Sequence, residues 1–325
     1  MNKTTPVFTV SVIIAVLFIL WGIIPDSWLG NASLTTVTGT IQNFIVSKFG
    51  WFYLLTATGF LIFCIILIFT RYGHIKLGKD TDEPEYNYIT WFSMLFSAGM
   101  GIGLVFWGAS EPMYHYYFPP TGEGQSAEAA RVAMRYSFFH WGLHPWAIYS
   151  VIALALAYFQ FRKGSAGVIS SILRPILGDR VDGTTGLVVN FIAVFATIFG
   201  VATSLGLGAI QISGGLSSLL PIENTVGTQL LIILIVTVLF MLSAQTGLNK
   251  GIKYLSNLNV ILAVSLMLFL LFAGPTNFIM DLFTTTIGSY LQNLAGMSFR
   301  MFPFDQENTW IQDWTIFYWA WWIAW

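Results

Sequence analysis

What most constrains the fold of this chain is a series of apolar runs long enough to cross a lipid bilayer. A hydrocarbon core of ~30 Å needs about 20 residues of helix. Runs of that order fall at Val7–Ile24, Phe49–Thr70, Tyr88–Met113, Phe138–Phe161, Gly186–Gly214, Gln229–Ser243, Leu258–Gly274 and Trp310–Trp325. Lipid offers no partner to a backbone amide, so a single spanning segment must bond to itself as a helix. The expected class is an all-α membrane protein with about eight transmembrane helices. Composition excludes a soluble core of the same helices. Charged residues make up 9% of the chain, against about 25% in soluble domains.

The first run follows Lys3 and resembles a signal peptide at first sight. Its length and the lack of an Ala-x-Ala-like cleavage site favour an uncleaved helix. The segment Phe278–Phe299 mixes polar and apolar residues at helical spacing, as an amphipathic helix lying at the membrane surface does. Orientation follows from the basic residues on alternate loops. With the N-terminus inside, the inner loops carry Lys3, Arg71, Lys76, Lys79, Arg162, Lys163, Arg174, Arg180, Lys250 and Lys253. The outer loops carry only Lys48, Arg131, Arg135 and Arg300. A multi-pass protein of the cell membrane with a cytoplasmic N-terminus is expected. The chain stops at Trp325 inside an aromatic run, without a loop or cap, and reads as C-terminally truncated.

Several classes of chemistry are excluded. A net charge of -1 argues against a nucleic-acid partner. Cys64 is the single cysteine, so the chain can form no internal disulfide and has no Cys-x-x-Cys motif. His74, His115, His140 and His144 follow no zinc spacing, and there is no G-x-S-x-G or P-loop. The chain is not expected to be an enzyme or to need a cofactor.

The chemistry lies instead in two aromatic stretches. His140–Tyr149 reads HWGLHPWAIY, where a purely lipid-facing helix would carry leucine, valine and phenylalanine. On a helical period Trp141, Trp146 and Tyr149 fall at about 0, 140 and 80 degrees, one broad face. Pro145 removes a backbone donor and is expected to bend the helix. The terminal run holds Trp314, Tyr318, Trp321, Trp322 and Trp325 within roughly 100 degrees of one face, with Trp319 pointing elsewhere. An interfacial aromatic belt occupies a turn or two near the headgroups, and this stripe runs deeper. Together the two faces suggest a cage for a cation. A cation is attracted to ring faces, each worth ~1–2 kcal/mol when desolvated.

Two further spans carry breakers and hydroxyls. The third contains SAGMGIG, with glycine at 99, 101 and 103. Each glycine costs about 1 kcal/mol of helix stability relative to alanine, favouring local unwinding. Unwound backbone at membrane depth lines cavities and holds substrates or ions in transporters, although small residues also serve close helix packing. The fifth span contains TIFGVATSLGLG, where packing threonines are the commoner explanation. Glu111 reads as an end-of-helix residue near water rather than a gate ion pair. His140 and His144, beside tryptophans in a bend, read as hydrogen-bonded structural residues rather than proton relays.

The phrases AGMGIG (Ala98–Gly103), HWGLHPWAIY (His140–Tyr149), SLGLG (Ser204–Gly208) and WTIFYWAWWIAW (Trp314–Trp325) resemble the betaine/carnitine/choline transporter family over essentially the whole chain. The resemblance implies a LeuT-type inverted-repeat transporter core. On that pattern residues 1–80 hold two extra N-terminal helices and an inner loop, and 81–275 the first five-helix repeat. Residues 276–308 then form the amphipathic connecting helix and outer loop, and 309–325 the start of the second repeat.

The resemblance further implies that Trp141, Trp146, Tyr149 and Trp322 surround a trimethylammonium group. Trp321 and Trp325 would be further contacts on the inward path, and the backbone of Gly99, Gly101 and Gly103 would approach the substrate carboxylate. Gly103 resembles the sodium-coupled glycine betaine carriers, whereas choline carriers tend to have aspartate there. Carbonyls of Ser97 and Met100 would hold one sodium ion. Thr197 matches the first ligand of a second site, whose other threonine is replaced here by Val201. The expected function is import of glycine betaine or a related compatible solute by sodium symport with alternating access. A choline or carnitine carrier, proton-coupled or exchanging, is the alternative. A quaternary-ammonium channel or receptor is less favoured, because no span presents a continuous polar face. Partners implied are a small quaternary ammonium substrate, membrane lipid and, from the family, a homotrimer through the amphipathic helix.

Overall fold

A computed structural model describes residues 5–99, 102–305 and 307–324. Among the described residues all regular structure is helical. Six helical stretches among the described residues, against eight expected spans, are long and apolar enough to cross a membrane, and no more than 22% of any of their apolar windows is buried within the chain. Faces left that apolar need a bilayer to cover them.

Local signals set where the helices start. Thr5 caps the first helix, Pro6–Ile23, by accepting from the Phe8 amide, and Pro6 occupies the first turn, where its missing N–H is not needed. Ser33 and Thr225 cap the second and sixth spans in the same way. The second span is longer than expected. It runs Leu34–Phe69, because the hydroxyl- and amide-rich stretch ahead of Phe49 continues the helix. The fifth, sixth and seventh spans run Thr184–Leu219, Val226–Gln245 and Lys253–Ala273. The expected amphipathic helix is Thr276–Ser298, which is not among the six stretches apolar enough to span. In the third span, helices Tyr88–Gly99 and Ile102–Tyr117 flank Met100 and Gly101. Those two residues, and with them the expected unwinding, lie outside the described residues.

The fourth span is two helices. Ala127–Trp141 ends before Gly142, whose backbone (φ -93°, ψ -131°) is not helical, and Leu143–Ala157 follows. The break therefore falls at Gly142 rather than at Pro145. The proline sits in the first turn of the new helix, where it costs no hydrogen bond.

The chain divides into two compact units. The first comprises residues 1–82, 140–200 and 295–325. Its core is the second span packed against Leu143–Ala157 and against the eighth span, with Leu54, Ala57, Ile148, Ile311, Ile316, Tyr318 and Trp319 buried. Small residues let these helices approach. Gly50 lies so close to the eighth span that an added Cβ would meet Ile316 Cδ1 at 2.5 Å. The first helix joins through Phe18, whose ring meets Phe199 and Phe195 at 4.9 and 5.8 Å.

The second unit comprises residues 83–139 and 201–294. Tyr88–Gly99 packs along the seventh span, where Ser97 donates to the Ser256 carbonyl (3.3 Å) and accepts from Asn259 Nδ2 (3.1 Å). Ala127–Trp141 meets the amphipathic helix through Phe138–Phe283, Phe139–Tyr290 and an Arg135–Ser289 hydrogen bond of 3.3 Å. Glu111 is not near water. It is fully buried and bonded to His115 one turn on, at 3.1 Å, a pairing that an i, i+4 spacing allows.

Candidate aromatic binding site

The rings of the fourth and eighth spans converge within the first unit. Trp322 lies 6.0 Å from Trp141 and 5.9 Å from Trp146, centroid to centroid, with interplanar angles of 75° and 50°. Trp146 meets Tyr149 edge-on at 5.9 Å, and Trp141 meets Trp321 at 6.3 Å and 88°. Trp322 is buried, while Trp141, Trp146, Tyr149 and Trp321 are half-buried. These separations lie in the range of favourable ring pairs. Packing this far from parallel keeps the rings from collapsing face to face, and a cation is attracted through a ring face.

The break at Gly142 is what lets two helices contribute. Trp141 ends one helix and Trp146 and Tyr149 belong to the next, so one ring is not bound to the helical phase of the others. On the eighth span a wide π-helical turn, Gln312–Ile316, precedes the helix Phe317–Ala324 that carries Trp321 and Trp322. Turns of this kind occur often at functional sites.

Trp314 and Tyr318, expected on the lining stripe, pack in a ring stack with Trp310 and His140. Trp310, Trp314 and Tyr318 form a ladder with steps of 6.4 and 6.3 Å, and the His140 ring stacks on Tyr318 at 4.7 Å. Trp319, off the expected stripe, is fully buried and stacks on His144 at 5.4 Å and 14°. Helical phase alone does not say which partner Tyr318 or Trp319 meets.

The remaining predicted residues are distributed as follows. Gly99 and Gly103 belong to the second unit, where Gly103 is buried at the start of Ile102–Tyr117. Gly101, Met100 and Trp325 lie outside the described residues. Ser97 also belongs to the second unit, with its hydroxyl committed to the seventh span. Thr197 belongs to the first, exposed, its hydroxyl bonded back to the Ala193 carbonyl at 2.9 Å. That back-bond is the usual habit of a helical threonine.

The helices and the buried rings define a multi-pass, all-α membrane protein with an aromatic site made by its fourth and eighth spans. Residues 6–325 match the betaine/carnitine/choline family transporters, and the chain belongs to that family, whose members are transporters and not enzymes. It is 57% identical over 328 residues to the glycine betaine transporter OpuD of Bacillus subtilis, covering all of this chain and 63% of that protein. It is 45% identical to a probable glycine betaine transporter of Desulfitobacterium hafniense and 43% identical to an ectoine/hydroxyectoine transporter of Virgibacillus pantothenticus. In both cases all of this chain matches 64% of the relative. The chain thus spans just under two thirds of the length of these curated relatives.

Proposed function

We propose that the protein carrying this chain is a secondary active transporter that imports glycine betaine, or a close quaternary-ammonium compatible solute, by sodium symport with alternating access. The observation that carries this reading is the approach of Trp141 and Trp146 to Trp322 from two spans. A permanently charged methylated amine has no proton to give up, so a site built of ring faces suits it. A lone carboxylate in its place would leave a charge in the membrane whenever the site emptied. In this reading Trp141, Trp146, Tyr149 and Trp322 enclose the trimethylammonium, and Trp321 and Trp325 line the path inward. The backbone at Gly99, Gly101 and Gly103 receives the carboxylate.

Sodium is the coupling ion, held by the main-chain carbonyls of Ser97 and Met100 with further groups from outside this chain. Thr197 contributes to a second site. The N-terminus is cytoplasmic, as the basic loops suggest, and the amphipathic helix Thr276–Ser298 provides the contact of a homotrimer. Along that helix Met280, Phe283, Ile287 and Leu291 form an exposed apolar stripe. The likeness to transporters whose names specify glycine betaine supports the choice of substrate.

The test is uptake of radiolabelled glycine betaine by cells expressing the natural open reading frame that encodes this chain, with and without an inward sodium gradient. Saturable accumulation that collapses with the gradient is expected. Passive equilibration would point to a channel, and accumulation driven by a proton gradient or by exchange would overturn sodium symport.

A further inference from the structure

Two histidines flank the break in the fourth span, and each stands beside a ring of the aromatic site. His140 immediately precedes Trp141, and His144 lies one residue short of Trp146's neighbour Pro145. Both are fully buried. A buried imidazole in a membrane span is costly unless its nitrogens are hydrogen-bonded, and leucine would fill the same space without that cost.

The contacts show what the imidazoles hold. His140 Nε2 and Thr315 Oγ1 share a hydrogen bond of 2.9 Å. Thr315 is itself fully buried, inside the wide turn of the eighth span. Trp322 lies about two turns further along that helix. The His140–Thr315 bond and the Trp141–Trp322 ring contact are therefore two rungs between the same pair of helices. Rotating or sliding one helix against the other breaks both. His144 fixes the other half of the broken span. Its Nε2 lies 3.1 Å from Ser298 Oγ and 3.4 Å from Thr58 Oγ1, and its ring stacks on Trp319.

We propose that His140 and His144 are positioning residues. They hold the two halves of the fourth span against the eighth, so that Trp141, Trp146 and Trp322 are spaced for a methylated cation before it arrives. This rests on the transport reading above. Rings already in place bind without a further ordering cost, so loosening the rung weakens affinity and leaves turnover alone.

The experiment measures glycine betaine uptake by the natural protein and by T315V, T315S, H140F and H140F/T315V, with membrane abundance followed in parallel. T315V, which keeps shape and loses the hydroxyl, raises KM about tenfold, the equivalent of one displaced ring contact, while maximal rate and abundance hold. T315S stays near wild type, and the double variant is no worse than H140F alone. An unchanged KM in T315V overturns the proposal, as do additive effects in the double variant. So does a fall in maximal rate that tracks abundance with KM unmoved. If H140F fails to reach the membrane, the T315V–T315S pair decides. If the wild-type protein takes up no betaine, the transport reading fails. The positioning claim is then read from the near-UV circular dichroism of the purified protein, in which T315V weakens the tryptophan bands and T315S keeps them.

Discussion

At the scale of single residues, each buried histidine beside the rings reaches a hydrogen-bond partner far along the chain. Trp146 and Tyr149 share a helix, so phase places them on one face, whereas the break at Gly142 frees Trp141 from that phase. Thr315, by contrast, lies 175 residues from His140, and Ser298 lies 154 from His144. No local pattern announces a partner at that distance. Glu111 was misread for the same reason, since burial depends on neighbours that the sequence around it does not name. Trp322 carries the sharpest residue-level prediction, because it is the ring that meets both Trp141 and Trp146. Trp322→Ala raises the KM for glycine betaine uptake at least tenfold, given ~1–2 kcal/mol for a desolvated ring. Trp322→Phe, which keeps a smaller face, loses less. Equal KM values for the two variants would argue against a ring–cation contact at this position.

Among the elements, apolar length placed six of the eight expected spans among the described residues, while their ends depended on residues too polar to count as membrane. The second span begins at Leu34 rather than Phe49 because threonine, glutamine and asparagine continue a helix that hydropathy cuts short. The fourth breaks at Gly142, whose backbone leaves the helical region, and Pro145, three residues on, sits harmlessly in the first turn of the next helix. Two predictions belong here. Gly50→Ala pushes against Ile316 Cδ1, the end of a movable side chain, and is tolerated. Gly50→Leu overfills the contact between the second and eighth spans and costs ~1–3 kcal/mol, seen as a lower melting temperature of the purified protein. The second concerns the loop after the second span, which is tied to the end of the fourth. Arg162 donates to Asp80 Oδ1 at 2.6 Å and to the Gly78 carbonyl at 2.9 Å. The hydrogen bond and charge of Arg162, with Lys76 adding, hold the Asp80 carboxyl below the usual carboxylate range. A lowered acid stays ionised through neutral pH, and its tie is lost only as pH falls through that lowered value. Relative to an unstructured control peptide at each pH, trypsin cleavage at Lys76 and Lys79 is thus slow and flat near neutrality, and Arg162→Ala accelerates it. Cleavage unchanged in the variant would show that the tie does not hold the loop.

For the molecule as a whole, the two units are built from stretches far apart in the chain. Apolar runs predict where spans fall, but which ones pair is decided by side-chain shape across long separations, and no period in the sequence encodes that. Selectivity is argued at this scale, because it joins one residue to the nature of the whole substrate. Glycine betaine carries its own carboxylate and choline does not. An aspartate at position 103 would add a second negative charge at a buried point of the third span, where a lone carboxylate costs ~2.5–3.5 kcal/mol on insertion scales. On the substrate placement proposed above, a zwitterionic substrate brings a like charge toward it and relieves nothing. A cationic substrate, or a proton, compensates it. Gly103→Asp therefore depresses betaine uptake and raises choline uptake, with a new dependence on external pH, as competition between the two labelled solutes in one cell preparation would register. Betaine uptake that persists undiminished, with choline still excluded, would show that position 103 does not face the substrate and that selectivity is set elsewhere.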